Sequence, residues 1–272
     1  GLCGAAVTVI APTTADNCSV ASITNDFNGT SDASGFYNVG TTTITWTVED
    51  IHGNTSTDTQ DITVTDDESP IANCQDFTIN LDGTGNAVIT AADINNGSTD
   101  NCAITALSVS PNSFTSVHLG ANTVVLTLTD AAGNSSTCTS IVTITDITPP
   151  TAICQDITIQ LDASGTASIV GSDIDNGSYD NGVVVSLDAN PNTFDCTNVG
   201  TNTVTLTVTD DAGLTTTCES IVTVEDNIAP VMASQNVTIQ LDSSGAASIT
   251  AANIDNGSYD NCDFTLTASQ TD

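Results

Sequence analysis

The sequence predicts an all-β chain laid out as a linear array of small sandwich domains, and three observations carry that expectation. Prolines recur at 70, 150 and 230, and Gly40, Gly120 and Gly200 keep the same step, as do Leu81-Asp82, Leu161-Asp162 and Leu241-Asp242. Apolar and polar residues alternate with period two over segments bounded by Gly, Asn, Asp and Pro, the pattern of half-buried strands. Beyond a turn at 91–94, no segment carries a helical period.

The elements follow in order within one repeat. Strands are expected near 76–81, 86–90, 103–110, 121–130 and 136–145, with one or two short ones between 110 and 120. In the stretch 201–210 the odd positions are threonine, while Val204, Leu206 and Val208 point the other way. β-branched residues on the wet face suit a pleated surface. Asp50, Asp130 and Asp210 each open a turn, and Asp130-Ala-Ala-Gly133-Asn134 closes a hairpin. About seven strands in such a span make a small β-sandwich. Short proline-bearing linkers hold neighbouring sandwiches stiffly.

The repeat sets the expected domains at 1–66, 67–146, 147–226 and 227–272. The first departs slightly in spacing, with Asp16-Asn17-Cys18 standing where Asp100-Asn101-Cys102 stands later, and it lacks its first strand. The fourth stops at Asp272, before its last hairpin, and the chain opens at Gly1 without Met or a signal peptide. The expectation is a mature product or a window onto a longer array, the alternative being half-domains completed by another subunit.

Charge excludes many functions. The chain holds 33 acidic residues, 29 Asp and 4 Glu, and no Lys or Arg, for a formal charge of −33. Without basic residues nothing displaces phosphate counterions, so nucleic acid is not a partner, and anionic membranes are disfavoured. Schiff-base chemistry, P-loops, arginine clamps and Lys–Asn isopeptide bonds are impossible. No apolar run reaches the roughly 20 residues of a membrane helix, so no membrane insertion is expected. Nine cysteines fit an oxidising compartment. Acid and cysteine together point to an extracellular location, secreted or on a cell surface.

The segments Gly1-Leu-Cys3-Gly-Ala-Ala-Val, Ala15-Asp-Asn-Cys18 and Val39-Gly-Thr-Thr-Thr-Ile-Thr-Trp46-Thr-Val-Glu-Asp50-Ile-His-Gly-Asn54 resemble the hyalin-repeat domain, an immunoglobulin-like module. The later repeats resemble the related module of long secreted surface proteins of Bacteroidetes-type bacteria, through Leu-Asp-x-x-Gly, Asp-Asn-Gly-Ser, Pro-Asn-x-Phe, Asn-x-Val-Gly and Thr-Asp-x-x-Gly. The resemblance spans essentially the whole chain. It implies tandem immunoglobulin-like sandwiches with an adhesive or structural role and no catalytic residue.

Cysteine columns test that reading. Cys74 and Cys154 share a column with Ser234, and Cys138 and Cys218 share one with Asp58. In an immunoglobulin-like sandwich the first and last strands can run side by side in parallel, which puts both columns at one end within disulfide reach. The expected bonds are Cys74–Cys138 and Cys154–Cys218, each worth about 4 kcal/mol in the chain-entropy view. The family pattern pairs Cys3 with Cys18. It would pair Cys102 with position 116 and Cys196 with position 182, but these are Ser116 and Gly182. Cys102 and Cys196 are therefore either free thiols or crosslinks between domains or fibre strands, and Cys262 loses its partner where the chain stops. Zinc is not expected, because neither close cysteine pairs nor histidines accompany these thiols.

Calcium takes six to eight oxygens from carboxylates, amides and carbonyls. Three acidic elements are expected to meet at each domain junction. The linkers bring Asp66, Asp67 and Glu68, then Asp146, then Asp226. One loop brings Asp93 and Asp100, Asp173, Asp175 and Asp180, or Asp255 and Asp260, and the hairpin turn brings Asp130 or Asp210. Asp before Gly is equally an ordinary turn former, as expected of Asp82, Asp162 and Asp242, and the loops lack the EF-hand spacing. Clustered carboxylates without any cation still favour a metal.

Rival readings are weaker. Every acidic cluster recurs by period, whereas an active site is expected once, so the protein is not expected to be an enzyme. His52 and His118 lie in different repeats and read as structural or exposed. A glycan platform wants aromatic residues, which make up 4% of the chain; Trp46 reads as core, with Tyr179 and Tyr259 better placed. Thr-x-Thr strands suggest ice binding, but exposed strands commonly look so. The expected function is a calcium-stiffened rod or fibre of tandem repeats, a filament or adhesin stalk that self-associates. The alternative is a glycan-binding or spacer region of a larger secreted enzyme. Lacking Lys and Arg, the reduced and chelated chain should survive trypsin whole; tryptic fragments on a gel would contradict this.

Overall fold

A computed structural model describes residues 3–269. It divides into two compact units, one of residues 3–80 with Asn86–Thr145, the other of Leu81–Gly85 with residues 146–269.

The first unit opens with β1 (Gly4–Val7), β2 (Val20–Asn25), β3 (Gly35–Asn38), β4 (Gly40–Asp50) and β5 (Thr55–Val64). β2, β4 and β5 form one antiparallel sheet, while β1 pairs with β3. Val9, Ala33, Tyr37, Ile44 and Trp46 make one buried cluster. Trp46 is therefore core, and its indole Nε1–H donates to Gln60 Oε1 at 3.0 Å.

Next come β6 (Phe77–Asn80), β7 (Asn86–Val88), the single helical turn α1 (Ala91–Ile94), β8 (Ile104–Ser110), β9 (Ser113–Thr115), β10 (Gly120–Asp130) and β11 (Ser135–Thr145). The sheet order is β6-β11-β10-β8, with β7 paired to β9. β6 runs parallel to β11, Phe77 opposite Val142, as expected of the first and last strands of an immunoglobulin-like sandwich. The pleat buries Val124, Leu126 and Leu128 completely. Two residues further along the same face, it carries Asp130 to the rim of the core, 2% exposed.

The second unit repeats this plan with β12 (Ile157–Gln160), β13 (Thr166–Ser168), α2 (Gly171–Ile174), β14 (Val184–Asn190), β15 (Thr193–Asp195), β16 (Gly200–Asp210) and β17 (Thr215–Glu225). β12 lies parallel to β17 in the order β12-β17-β16-β14, and β13 pairs with β15. Leu161, Ile169, Ile174, Phe194, Val204, Leu206, Val208, Val222 and Val224 share one core. The remainder holds α3 (Ala251–Ile254) and isolated bridges from Val231 to Tyr259 and Ser234 to Asp255. The strands expected there are not formed. Leu241 is 69% exposed where Leu161 is 3%, since among the described residues no partner strand lies beside 237–241 as β17 lies beside β12.

Eight cysteines pair. Cys74–Cys138 and Cys154–Cys218 close with Cα–Cα separations of 6.0 and 5.9 Å. The family pairing of Cys3 with Cys18 is corrected: Cys3 bonds Cys102, Cys196 bonds Cys262, and Cys18 is exposed and free. The reason is the length of β4. Cys3 accepts from Val39 N–H beside Gly40, at the end of the sandwich where the chain leaves. Cys18 precedes Val20, which pairs with Asp50 at the other end. Ten strand steps of about 3.3 Å separate these ends by about 33 Å, far beyond disulfide reach. Cys102 and Cys262 instead stand on the end where the chain enters their repeats, and each meets a thiol from the repeat before. Native protein should take up one equivalent of a thiol-alkylating reagent, at Cys18, and nine after denaturing reduction; uptake at Cys102 or Cys196 without reduction would contradict these pairings.

Candidate metal centres at the entry ends of the repeats

Each acidic centre is assembled from three elements: the segment entering a repeat, an Asp-Asn turn, and the hairpin turn after the core strand. At the second repeat these bring Asp66, Asp100 and Asp130 together, each offering one carboxylate oxygen, all within 4.8 Å of one another. Asp66 is 9% exposed. Its Oδ1 accepts from Glu68 N–H at 3.3 Å and Asn101 Nδ2 at 3.4 Å, and Oδ2 has no partner. Asp100 Oδ2 accepts from Cys102 N–H at 2.8 Å, leaving Oδ1 unpaired. Both Asp130 oxygens are taken, by the Asn134 N–H and Nδ2 at 2.8 Å each.

At the third repeat Asp146, Asp180 and Asp211 make the equivalent group, again within 4.8 Å. Asp146 is 8% exposed. Its Oδ1 accepts from Thr148 N–H at 2.9 Å, and Asp180 Oδ2 from Gly182 N–H at 2.7 Å. Asp210, 1% exposed, accepts through Oδ1 from Ala212 and Leu214 at 2.9 and 2.8 Å. Asp146 Oδ2, Asp180 Oδ1, Asn181 Oδ1, Asp210 Oδ2 and Asp211 Oδ1 are buried without a partner. At the fourth repeat Asn261 Nδ2 donates to Asp226 Oδ1 at 2.9 Å, with Asp260 Oδ1 and Asn261 Oδ1 unpaired. No third carboxylate joins them among the described residues.

One design recurs. In Asp66, Asp100, Asp146, Asp180 and Asp210 one oxygen holds a local turn and the other is buried without a partner. A buried polar group without a partner is costly, and two negative charges about 5 Å apart repel by roughly 3 kcal/mol at an effective dielectric of 20. A cation removes both costs. Calcium–oxygen distances of about 2.3–2.6 Å let ligands of one ion stand up to about 5 Å apart, so oxygens as close as these can share one ion. An all-oxygen donor set suits a hard cation rather than zinc.

The structure also separates ligand candidates from turn formers. Asp93 Oδ2 accepts from Thr90 N–H and Oγ1 at 2.7 and 2.8 Å, and Asp173 Oδ2 from Val170 N–H at 2.8 Å, so both cap helical turns. Asp175 and Asp255 hold Asn-Gly turns through Ser178 and Ser258 N–H at 3.0 and 2.9 Å. Asp67 and Glu68 are exposed. None of these six stands in either carboxylate group. Asp211 and Asn181 were missed. Ala131 occupies the Asp211 column in the preceding repeat, which hides it from column comparison, whereas Asn101, Asn181 and Asn261 recur directly after Asp100, Asp180 and Asp260.

His52 and His118 are exposed, and His118 Nδ1 accepts from Thr115 N–H at 3.1 Å as a local cap. Tyr179 and Tyr259 are 59% and 62% exposed. Among the described residues, no helix is long and apolar enough to cross a membrane.

Hydrogen bonding holds several turn carboxyls below the ordinary range. Asp50 is lowered chiefly by the Asn54 side chain, and Asp162 by Thr166 and Ser164 N–H. For Asp130, burial pushes upward, but the Asn134 side chain and the N–H groups of Asn134, Gly133 and Ala132 outweigh it.

The sequence matches no described protein family and no curated protein. Solved structures to which it shows similarity include protocadherin gamma B7 extracellular cadherin domains 1–4, at 11% identity and TM-score 0.29, covering 84% of this chain and 70% of that one. The protocadherin gammaB7 EC3-6 cis-dimer is 16% identical with TM-score 0.30, covering 89% and 74%. Human mucin-like protocadherin EC1-2 is 13% identical with TM-score 0.30, covering 58% and 98%.

A carboxyl lowered in the folded state stabilises fully above its unfolded value of about 3.9, and that contribution is lost as pH falls through the folded value. In metal-free protein the stabilisation from these turn carboxyls should thus fade as pH drops below about 4. Asp50→Ala and Asp162→Ala should show a shallower acid loss in circular-dichroism melts; identical acid slopes would contradict the assignment.

Proposed function

We propose that this chain is an extracellular structural protein: a calcium-stiffened rod of tandem immunoglobulin-like repeats, serving as a filament or adhesin stalk. The observation that carries it is the convergence of bare, buried aspartate oxygens on the entry ends of successive repeats, in a chain without one basic side chain. Asp66 and Asp100 with Asp130, and Asp146 and Asp180 with Asp210 and Asp211, would hold the ions. Asp226 and Asp260 are the corresponding residues of the last repeat.

The repeats run as 1–66, 67–146, 147–226 and 227–272, and hyalin-repeat modules of Bacteroidetes-type surface proteins are the kin suggested by sequence. The disulfides support an oxidising, extracellular setting. The acidic groups recur by repeat, which favours a structural role over catalysis. Burial of Trp46 removes the single tryptophan as a sugar platform, which counts against the glycan-binding alternative. Partners are then further copies or repeats of the same kind.

Ions bound only by the folded, docked repeats stabilise them by mass action. A site at calcium a hundred times its own Kd should contribute about 2.7 kcal/mol. EDTA should lower the melting temperature and broaden the end-to-end distribution seen by small-angle scattering. Unchanged melting and dimensions would refute the calcium rod.

A further inference from the structure

The acidic ends of the second and third repeats differ in three columns, and the differences compensate. At the second repeat Asn134 Nδ2 donates to the carbonyl oxygens of Asp66 at 2.9 Å and Glu68 at 3.2 Å and to Asp130 Oδ2 at 2.8 Å. One amide nitrogen thus gathers three oxygens from two elements, as a cation does. The position equivalent to Asn134 at the third repeat is Leu214, which keeps the same turn through its N–H to Asp210 Oδ1 at 2.8 Å but brings no side-chain donor. Asp210 Oδ2 is accordingly bare, whereas both Asp130 oxygens are paired.

The second difference is Asp211, which adds a carboxylate where the second repeat has Ala131. Among the described residues, five buried carboxylate or amide oxygens are unpaired at the third repeat (on Asp146, Asp180, Asn181, Asp210 and Asp211) against two at the second, on Asp66 and Asp100, where the Ser136 hydroxyl is also unpaired. The third difference is covalent. Cys102, beside Asp66, bonds Cys3 of the repeat before it, and Cys262 bonds Cys196. The same column of the third repeat holds Gly182.

Resting on the calcium reading above, we infer that calcium dependence is concentrated at the entry end of the third repeat, while the second repeat is latched without metal by the Asn134 amide and the Cys3–Cys102 bond. The residues Asp211, Leu214 and Gly182 mark a metal-dependent entry end; Ala131, Asn134 and Cys102 mark a metal-independent one. Falling calcium then loosens the entry end of the third repeat and leaves that of the second in place.

Hydrogen exchange of the full, disulfide-intact chain, with calcium and with EDTA, reads both ends in one experiment. Local openings that release an ion slow in proportion to its occupancy. At calcium about a hundred times its Kd, exchange at residues 146–151, 180–183 and 210–214 should slow on the order of 100-fold, and at 66–71, 100–103 and 130–134 by less than about threefold. The double variant Asp211→Ala with Leu214→Asn should remove the response at the third repeat. Ala131→Asp with Asn134→Leu should create one at the second. Equal responses at the two ends, or variants that leave the pattern unmoved, overturn the inference while sparing the calcium reading. No response anywhere overturns both.

Discussion

A chain with 33 negative side chains and no positive one must settle its carboxylates with donors other than ion pairs, and the rest of the architecture answers to that constraint. Backbone N–H groups are the first resource. Turn after turn has an aspartate accepting from residues two to four further on, as at Asp50, Asp130, Asp162 and Asp210. This explains the excess of Asp over Glu, since the shorter side chain reaches its own turn. Side-chain amides are the second resource, with Asn54 and Asn134 each closing on the aspartate four residues before. What these leave bare is concentrated where one repeat receives the chain from another.

That concentration is a consequence of strand length and pleat. In β10 and β16 the inward-facing series runs Val124, Leu126, Leu128 or Val204, Leu206, Val208 before reaching Asp130 or Asp210. The carboxylate is carried to the core's rim by the same alternation that buries the aliphatic residues. The eleven-residue strands also keep the two ends of a sandwich apart. Cysteines at opposite ends therefore bond to neighbouring repeats rather than within their own, at the second and fourth repeats, whereas the third holds Gly182 in that column and the larger set of bare oxygens.

Much of this was legible from the sequence for a physical reason. Threonine alternating with Val, Leu and Ile can hardly be read as anything but a half-buried strand, and the parallel first and last strands expected of an immunoglobulin-like sandwich are what bring Cys74 and Cys138 together. Cys3 was misread because family spacing says nothing about which end of a sandwich a residue occupies. Asp93, Asp173 and Asp255 were grouped with the ligand candidates because nearness in sequence does not reveal that a carboxylate is already spent on its own turn. Asp211 escaped because it is the single departure in its column, and a periodic reading discards what does not repeat. The acidic centres as such were visible; their membership was decided by hydrogen bonds that only folding defines.

The central claim is that the bare inner oxygens share a calcium ion. Anomalous diffraction from crystals of the full chain grown with calcium tests it most directly. The account predicts a peak about 2.3–2.6 Å from oxygens of Asp146, Asp180 and Asp211, with those carboxylates oriented as found here. Water-filled or directly hydrogen-bonded carboxylates at that place, in crystals holding millimolar calcium, would contradict it.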